Sequence, residues 1–288
     1  MILITGANGN VGGEVLKEAV AARLDIRAAY HSAAKAKSAP AAVPTVLMDY
    51  KDPGSIRAAL AGVEKAFLVG PPARDVAQLE GGFVEQARAS GLKHIVYLSA
   101  MGGRAAIFPG LHRDTEEKIE ACGIPYTFLR PNGFMQNLVI YNSGTINAES
   151  VFYGSQGDGA VSHIDVRDVA AVAVRVLSSG GHEGKAYSLT GPQALSNAQL
   201  AEKLSLALAR KIRYVDLAPE AYKKGLLAAG VPQWPADAVV DLNRFYREGG
   251  ASHVEAAIER LLRRKARSFD DFARDYSSAF QVPALGRS

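Results

Sequence analysis

Met1-Ile-Leu-Ile-Thr-Gly-Ala-Asn-Gly-Asn-Val-Gly-Gly-Glu-Val-Leu-Lys-Glu-Ala-Val-Ala-Ala22 opens the chain. Ile2, Leu3 and Ile4 form an apolar run that reads as a buried strand. Gly6-Ala7-Asn8-Gly9-Asn10-Val11-Gly12 reads as a glycine-rich turn. From Val11 the pattern becomes helical, with Val15, Leu16, Ala19 and Val20 on one face. Strand, glycine turn and helix in this order are the phosphate-binding start of a Rossmann fold. Glycine lets the backbone turn tightly and lets a pyrophosphate approach the main chain. The helix then aims unpaired N–H groups and the positive end of its dipole at that anion. The spacing is Gly-x-x-Gly-x-x-Gly, and Gly12 is placed for close helix–sheet contact.

Beyond residue 22, apolar runs and helical patterns alternate. Strands are expected at Ile26–Tyr30, Thr45–Met48, Ala66–Val69, His94–Leu98 and Tyr126–Leu129. Helices are expected from Pro53 to Leu60, through Val76, Leu79, Phe83, Val84 and Ala87 to a stop at Gly91, and from His112 to Ala121. Such alternation specifies a parallel sheet covered on both faces, with ligands at the carboxyl ends of its strands. The fold class expected is α/β, a doubly wound Rossmann sheet with a small C-terminal substrate lobe. Residues 1–131 are expected to form the dinucleotide-binding core, and 132–288 to complete it and build the lobe.

Past Arg130-Pro131 the alternation loosens, and residues up to Gly159 are poorly patterned. Val161–Val166, Tyr187–Leu189 and Ile212–Val215 read as strands. Asp168 reads as the cap of a helix to Leu177, and Asp165 as a buried-turn carboxylate. Ser196 and Gln199 fit a capping box. Phe269, Phe272, Ala273 and Tyr276 line a last helix.

The strand ending at Tyr30 would face the adenosine ribose. A carboxylate there would favour NAD(H). The chain instead reads Tyr30-His31-Ser32, followed by Lys35 and Lys37, which can donate to and partly neutralise a 2′-phosphate. NADP(H) is therefore the preferred cofactor, with NAD(H) still accommodated. Asp49 is placed either to accept from the adenine amino group or to cap the next helix. Gly70-Pro71-Pro72 is either a backbone surface for a ligand or a stiff turn.

With 48% hydrophobic and 22% charged residues, the chain is globular. Its single cysteine, Cys122, excludes an internal disulfide, suits a reducing compartment and reads as a packing residue. No apolar run approaches the ~20 residues of a membrane span. The first strand begins at residue 2, so a cytoplasmic protein is expected. The net charge of +4 is mildly basic. The cluster Arg260, Arg263, Arg264, Lys265 and Arg267 follows a helical pattern and suits a helix C-terminus better than nucleic acid. No metal-ligand spacing appears. The oligomeric state is left open, a homodimer included.

Three stretches carry a family resemblance: Thr5 to Gly12, His94-Ile-Val-Tyr-Leu-Ser99, and Ile124-Pro-Tyr-Thr-Phe-Leu-Arg-Pro-Asn-Gly-Phe-Met-Gln-Asn137. Val166-Arg-Asp-Val-Ala170 and Ser268-Phe-Asp-Asp-Phe-Ala273 add to it. The chain resembles the NmrA-like branch of the atypical short-chain dehydrogenase/reductases. That branch includes quinone, azo-dye and triphenylmethane-dye reductases and redox-sensing regulators. The resemblance implies cofactor contacts at Gly6, Ala7, Asn8, Gly9, Asn10 and Val11, at His31, Ser32 and Lys35, at Asp49 and Tyr50, and at Val69, Gly70 and Pro71. It also implies contacts at Pro131, Asn132, Gly133 and Phe134, the last group bordering the nicotinamide.

Ordinary short-chain dehydrogenases carry Tyr-x-x-x-Lys, whose tyrosine donates a proton. The matching stretch here is His112-Arg-Asp-Thr-Glu116, without the phenol or the ammonium. Hydride transfer to a quinone or similar conjugated, electron-poor acceptor demands less from an acid than alcohol–ketone chemistry. His112 then stands as a proton donor, a partner of the nicotinamide ribose or a helix cap. Ser99 stands at the strand end of the usual active-site serine or as a turn residue. Phe134, Met135, Phe152, Tyr153 and Trp234 are candidates for an apolar acceptor pocket or for lobe core. The reading is an NADPH-dependent reductase of a small-molecule acceptor. The alternative is a non-catalytic NADP(H) sensor acting through a protein partner.

Overall fold

A computed structural model describes residues 1–281. Its backbone divides into two compact units. The first comprises Met1–Pro131, Val166–Leu189 and Ala257–Arg264. The second comprises Asn132–Asp165, Thr190–Ala256 and the described residues from Lys265 onward.

The first unit begins β1 (Ile2–Ile4), α1 (Asn10–Ala21), β2 (Ile26–Tyr30), α2 (Ala33–Ala36), β3 (Thr45–Leu47) and α3 (Pro53–Leu60). It continues with β4 (Lys65–Leu68), α4 (Val76–Ser90), β5 (His94–Leu98), α5 (Ile107–Cys122) and β6 (Tyr126–Pro131). The second unit contributes α6 (Asn137–Glu149) and β7 (Val151–Gly154). The chain then returns to the first for α7 (Val166–Ser178) and β8 (Lys185–Leu189). α8 (Asn197–Leu208), β9 (Arg213–Asp216), α9 (Pro219–Ala228) and α10 (Gln233–Arg247) belong to the second unit. α11 (Ala257–Leu262) belongs to the first, and α12 (Phe269–Asp275) to the second.

Seven strands form one sheet in the order β3-β2-β1-β4-β5-β6-β8, and every pair is parallel. Strand order reverses between β1 and β4, the switch point at which doubly wound sheets bind ligands. The parallel sheet needs apolar residues on both faces. Leu3, Ile4, Phe67, Ile95, Val96 and Tyr97 are accordingly fully buried.

Local signals account for several element ends. Asp52 caps α3 by accepting from the Gly54 N–H at 2.8 Å, and Pro53 occupies the first turn. Gly91 and Gly123 end α4 and α5 in the left-handed conformation. Ser196 and Gln199 form the expected capping box on α8. Cys122 ends α5 and packs against the core of the first unit.

Four expectations are corrected. Val20 is 39% exposed, outside the buried face of α1 made by Val11, Val15, Leu16 and Ala19. The stretch after Asn137 is a regular helix, whose apolar residues Leu138, Val139, Ile140 and Tyr141 are contiguous instead of periodic. Val161–Val166 is no strand: it makes single bridges, Val161 to Leu195 and Ile164 to Phe134, before α7 starts. Asp168 lies inside the first turn of α7, past the cap position, is fully buried, and pairs with Arg264 at 2.8 Å. That pair gives one cation of the basic cluster a structural role.

Within the second unit, β7 and β9 form a parallel pair. Its core gathers Met135, Phe152, Leu200, Leu204, Phe269 and Phe272. No helix among the described residues is long and apolar enough to cross a membrane.

Candidate active site

The turn after β1 is held by Thr5. Its hydroxyl accepts from the Val69 N–H at 2.8 Å and lies 3.1 Å from the Phe67 carbonyl oxygen. Gly6 has φ +59°, and a β-carbon there would lie 2.7 Å from Val69 Cγ1. Gly9 donates to the Gly6 carbonyl at 2.8 Å and then serves as the N-cap of α1. No side chain caps α1, and its first turn holds no acidic residue. The leading N–H groups of a helix have no intrahelical partner. A bare, glycine-flanked helix start at a switch point fits a diphosphate, and these residues suit a dinucleotide.

Beyond β2 the chain presents exposed His31 and Lys35 beside Ser32. Ser32 also caps the short α2, accepting from the Lys35 N–H at 3.4 Å. Asp49 does not cap α3, since Asp52 does. Its carboxylate accepts from the Lys51 N–H at 2.9 Å. The Tyr50 hydroxyl donates to the Val69 carbonyl at 2.8 Å, and burial raises its pKa. Gly70 donates to Glu80 Oε1 at 2.7 Å, and a β-carbon at Gly70 would come within 2.9 Å of Val76. The Gly70-Pro71-Pro72 turn is thus anchored on α4 through Glu80.

Glu80 is fully buried. Besides Gly70, its carboxylate meets the Thr115 hydroxyl at 2.8 Å and the Tyr97 hydroxyl at 2.8 Å, both at Oε2. Burial pushes its pKa up to about 7 against the pull of those hydrogen bonds and of Lys118. The Tyr97 hydroxyl also lies 2.8 Å from His112 Nδ1. Burial lowers the His112 pKa to about 4, against the opposing charge of Glu116. α5 starts at Ile107, so His112 sits inside the helix and cannot cap it. Tyr97 of β5, which brings a phenol against His112, is a residue that sequence reasoning did not single out. The available signal was an acidic residue, Glu80, on the same helical face as Val76, Phe83, Val84 and Ala87.

Ser99 is buried at the end of β5, where its N–H donates to the Leu129 carbonyl. Its hydroxyl hydrogen-bonds Glu116. Glu116 stands at the position of the missing lysine. It receives two hydrogen bonds from Arg130, each 2.8 Å, and one of 2.7 Å from Arg113. Burial would raise its pKa, but the bonds from Arg130, Ser99 and Arg113 outweigh that and hold it low. Ser99 thus supports the Glu116–Arg130 ion pair from the end of β5.

In the second unit, Asn132 uses its whole side-chain amide. Nδ2 donates to Ser162 Oγ and the Ala251 carbonyl, both at 2.8 Å, and Oδ1 accepts from the Gly133 N–H. Gly133 lies against two polar side chains: its β-carbon would be 3.1 Å from the Tyr246 hydroxyl and 3.3 Å from His163 Cδ2. Burial lowers His163 to about 4 and raises Tyr246. Phe134 and Trp234 are half-buried. Met135 and Phe152 are core residues, buried among apolar neighbours, and are withdrawn as pocket candidates. Tyr153 is tied to Glu149 at 3.0 Å on the surface. Asp165 accepts from Gln136 at 2.9 Å. Among the described residues no cluster of metal-ligating side chains occurs.

Comparison with known proteins accords with this geometry. A family model described as NAD(P)H-binding matches residues 6–179. The NAD(P)H azoreductase of Xenophilus azovorans is 36% identical, over 97% of this chain and 99% of its own. The NADPH-dependent quinone oxidoreductase of Escherichia coli, solved with NADPH, superposes with a TM-score of 0.88 at 28% identity, over 96% of this chain and 100% of its own. The triphenylmethane reductase of Citrobacter sp., solved with NADP(H), gives 0.86 at 27% identity, over 96% and 99%.

Proposed function

The chain belongs to the NAD(P)H-binding family and is an NAD(P)H-dependent oxidoreductase, and from that premise we propose that it uses NADPH to reduce a quinone or a similar conjugated, electron-poor acceptor. The observation that carries the cofactor assignment is the uncapped start of α1, framed by Gly6, Gly9 and Gly12. His31, Ser32 and Lys35, with no carboxylate at the end of β2, support NADPH over NADH. Relatives bearing azoreductase and quinone oxidoreductase names, and a dye reductase of like structure, support the acceptor class.

When bound, the reduced nicotinamide supplies the hydride. The protein's part is to orient it and to handle one proton. Gly6 to Val11 hold the diphosphate through main-chain amides. Tyr50 and Thr5 brace Val69, so the backbone of Val69 to Pro71 presents a fixed surface. His112 is the group we assign to proton delivery. Its Nδ1 is occupied by Tyr97, and its Nε2 has no protein partner among the described residues.

The test is NADPH oxidation against 1,4-naphthoquinone, an azo dye and a cationic triphenylmethane dye, with calorimetric titration of both reduced nucleotides. Turnover with at least one acceptor, faster with NADPH than with NADH, is expected. Tight binding with no turnover would favour the sensor reading, and absence of binding would overturn both.

A further inference from the structure

We propose that Glu80 and Tyr97 form an internal proton relay that sets which nitrogen of His112 carries a proton and reloads it during each reduction. The inference rests on the reductase reading above and deepens it.

Three groups form an unbroken hydrogen-bonded line: Glu80 Oε2 to the Tyr97 hydroxyl, 2.8 Å, and that hydroxyl to His112 Nδ1, 2.8 Å. The line starts at a fully buried carboxyl group and ends on an imidazole whose outer nitrogen has no protein partner among the described residues. A phenol has one proton to donate. With Glu80 ionised, Tyr97 donates to it, so His112 must offer Nδ1–H and its Nε2 is a bare acceptor. With Glu80 protonated, Glu80 donates to the Tyr97 oxygen and Tyr97 donates to Nδ1. His112 then carries its proton on Nε2. One buried proton thus appears at the outer nitrogen as a donor, and no group along the line is charged in that state.

The groups facing Glu80 are few. Gly70 donates to it from the turn after β4, and Thr115 from α5. Lys118 of α5 pulls its pKa down, and Tyr50 lies close enough to feel its charge. Glu116 of α5 acts on both His112 and Tyr97. Burial outweighs the rest and poises Glu80 near neutrality, where a proton reservoir works best. His112 stays neutral throughout, which accords with its lowered pKa.

An azo acceptor takes up one hydride and one proton. The hydride pair adds to one nitrogen of the N=N bond, the nicotinamide is oxidised, and the other nitrogen takes the His112 Nε2 proton. The Tyr97 proton passes to Nδ1, the Glu80 proton passes to the Tyr97 oxygen, and Glu80 is left as a carboxylate. Solvent then reprotonates the line through Nε2. A cationic triphenylmethane dye accepts hydride at its central carbon and needs no proton.

Two measurements decide it. The first is the ¹⁵N spectrum of His112 in the ligand-free protein, assigned by its loss in His112→Asn, from about pH 5.5 to about pH 8.5. A change from Nε2–H to Nδ1–H with rising pH is expected in the wild type, and a single tautomer in Glu80→Gln. A wild type with one tautomer throughout, or a Glu80→Gln variant that still switches, overturns the relay. The second compares single-turnover rates on methyl red and crystal violet. Glu80→Gln and Tyr97→Phe should lower the ratio of azo to dye rate by about tenfold or more, and flatten the pH profile of the azo arm. An equal loss on both acceptors marks a merely structural role and overturns the relay. A wild type inactive on every acceptor defeats the reductase reading, and the spectrum then still decides the relay by itself.

Discussion

A β-carbon placed on Gly12 would lie 2.2 Å from the carbonyl oxygen of Gly6. No real β-carbon tolerates that approach, so the helix and the turn must separate if position 12 gains a side chain. Gly12→Ala should cost at least about 1–3 kcal/mol through overpacking and weaken NADPH in the same variant. Gly13 is the control. Its β-carbon would meet Ala7 at an ordinary 3.5 Å, and alanine is the better helix residue. Gly13→Ala should leave Tm unchanged or raised. Thermal melts with and without NADPH separate the two.

The 2′-phosphate assignment depends on His31, Ser32 and Lys35. The double variant Ser32→Ala/Lys35→Ala should raise the Kd for NADPH by about tenfold, with a much smaller change for NADH. The loss should shrink at high salt, because Lys35 is exposed. Equal losses for both nucleotides would remove these residues from cofactor choice.

Arg130→Ala takes two of the hydrogen bonds from the buried Glu116 carboxylate. The expected cost is about 3 kcal/mol, at the low end for a buried pair because the Arg130 side chain is 33% exposed. Glu116 is held below its ordinary pKa in the wild type. It therefore contributes stability above the unfolded pKa that is lost as pH falls through the folded one. The penalty of Arg130→Ala should be small in acid and grow to its full size by neutral pH. Urea unfolding across that range is the measurement.

Glu80 behaves in the opposite sense. Its folded pKa is raised from 4.5 to about 7, so between those values the folded state binds more protons than the unfolded one. Its contribution to stability falls with rising pH, by at most about 3 kcal/mol. Glu80→Gln lacks this titration. The stability of the variant minus that of the wild type should increase steadily from about pH 4.5 to about pH 7. A difference independent of pH would mean that Glu80 is not raised.

The parts of the molecule legible in the sequence are those where neighbours along the chain decide the outcome. Ile2 to Gly12 is one example, because a buried strand, a turn needing glycine and a helix start are all local. The capping box at Ser196 and Gln199 is another. α6 was hidden because Leu138 to Tyr141 run together and leave Ile140 and Tyr141 exposed, so no helical period shows. Val161, Ile164 and Val166 are β-branched, as in a strand, but the bridges of this stretch to Leu195 and Phe134 are set by distant chain. The candidate site divides in the same way. The glycine turn announced itself, whereas Glu80, Tyr97 and His112 come from α4, β5 and α5, and only the sheet brings them together. His163 and Tyr246 meet at Gly133 for the same non-local reason.

The backbone passes from one compact unit to the other five times, after Pro131, Asp165, Leu189, Ala256 and Arg264. Grafting a foreign second unit onto this first unit therefore cannot be done at one junction. A chimera joined only at residue 131 would exchange α7, β8 and α11 as well, and with them Asp168 and Arg264. Recombination within this architecture should succeed only when segments are swapped in matched sets, so new acceptor preferences are more accessible through point changes than through splicing.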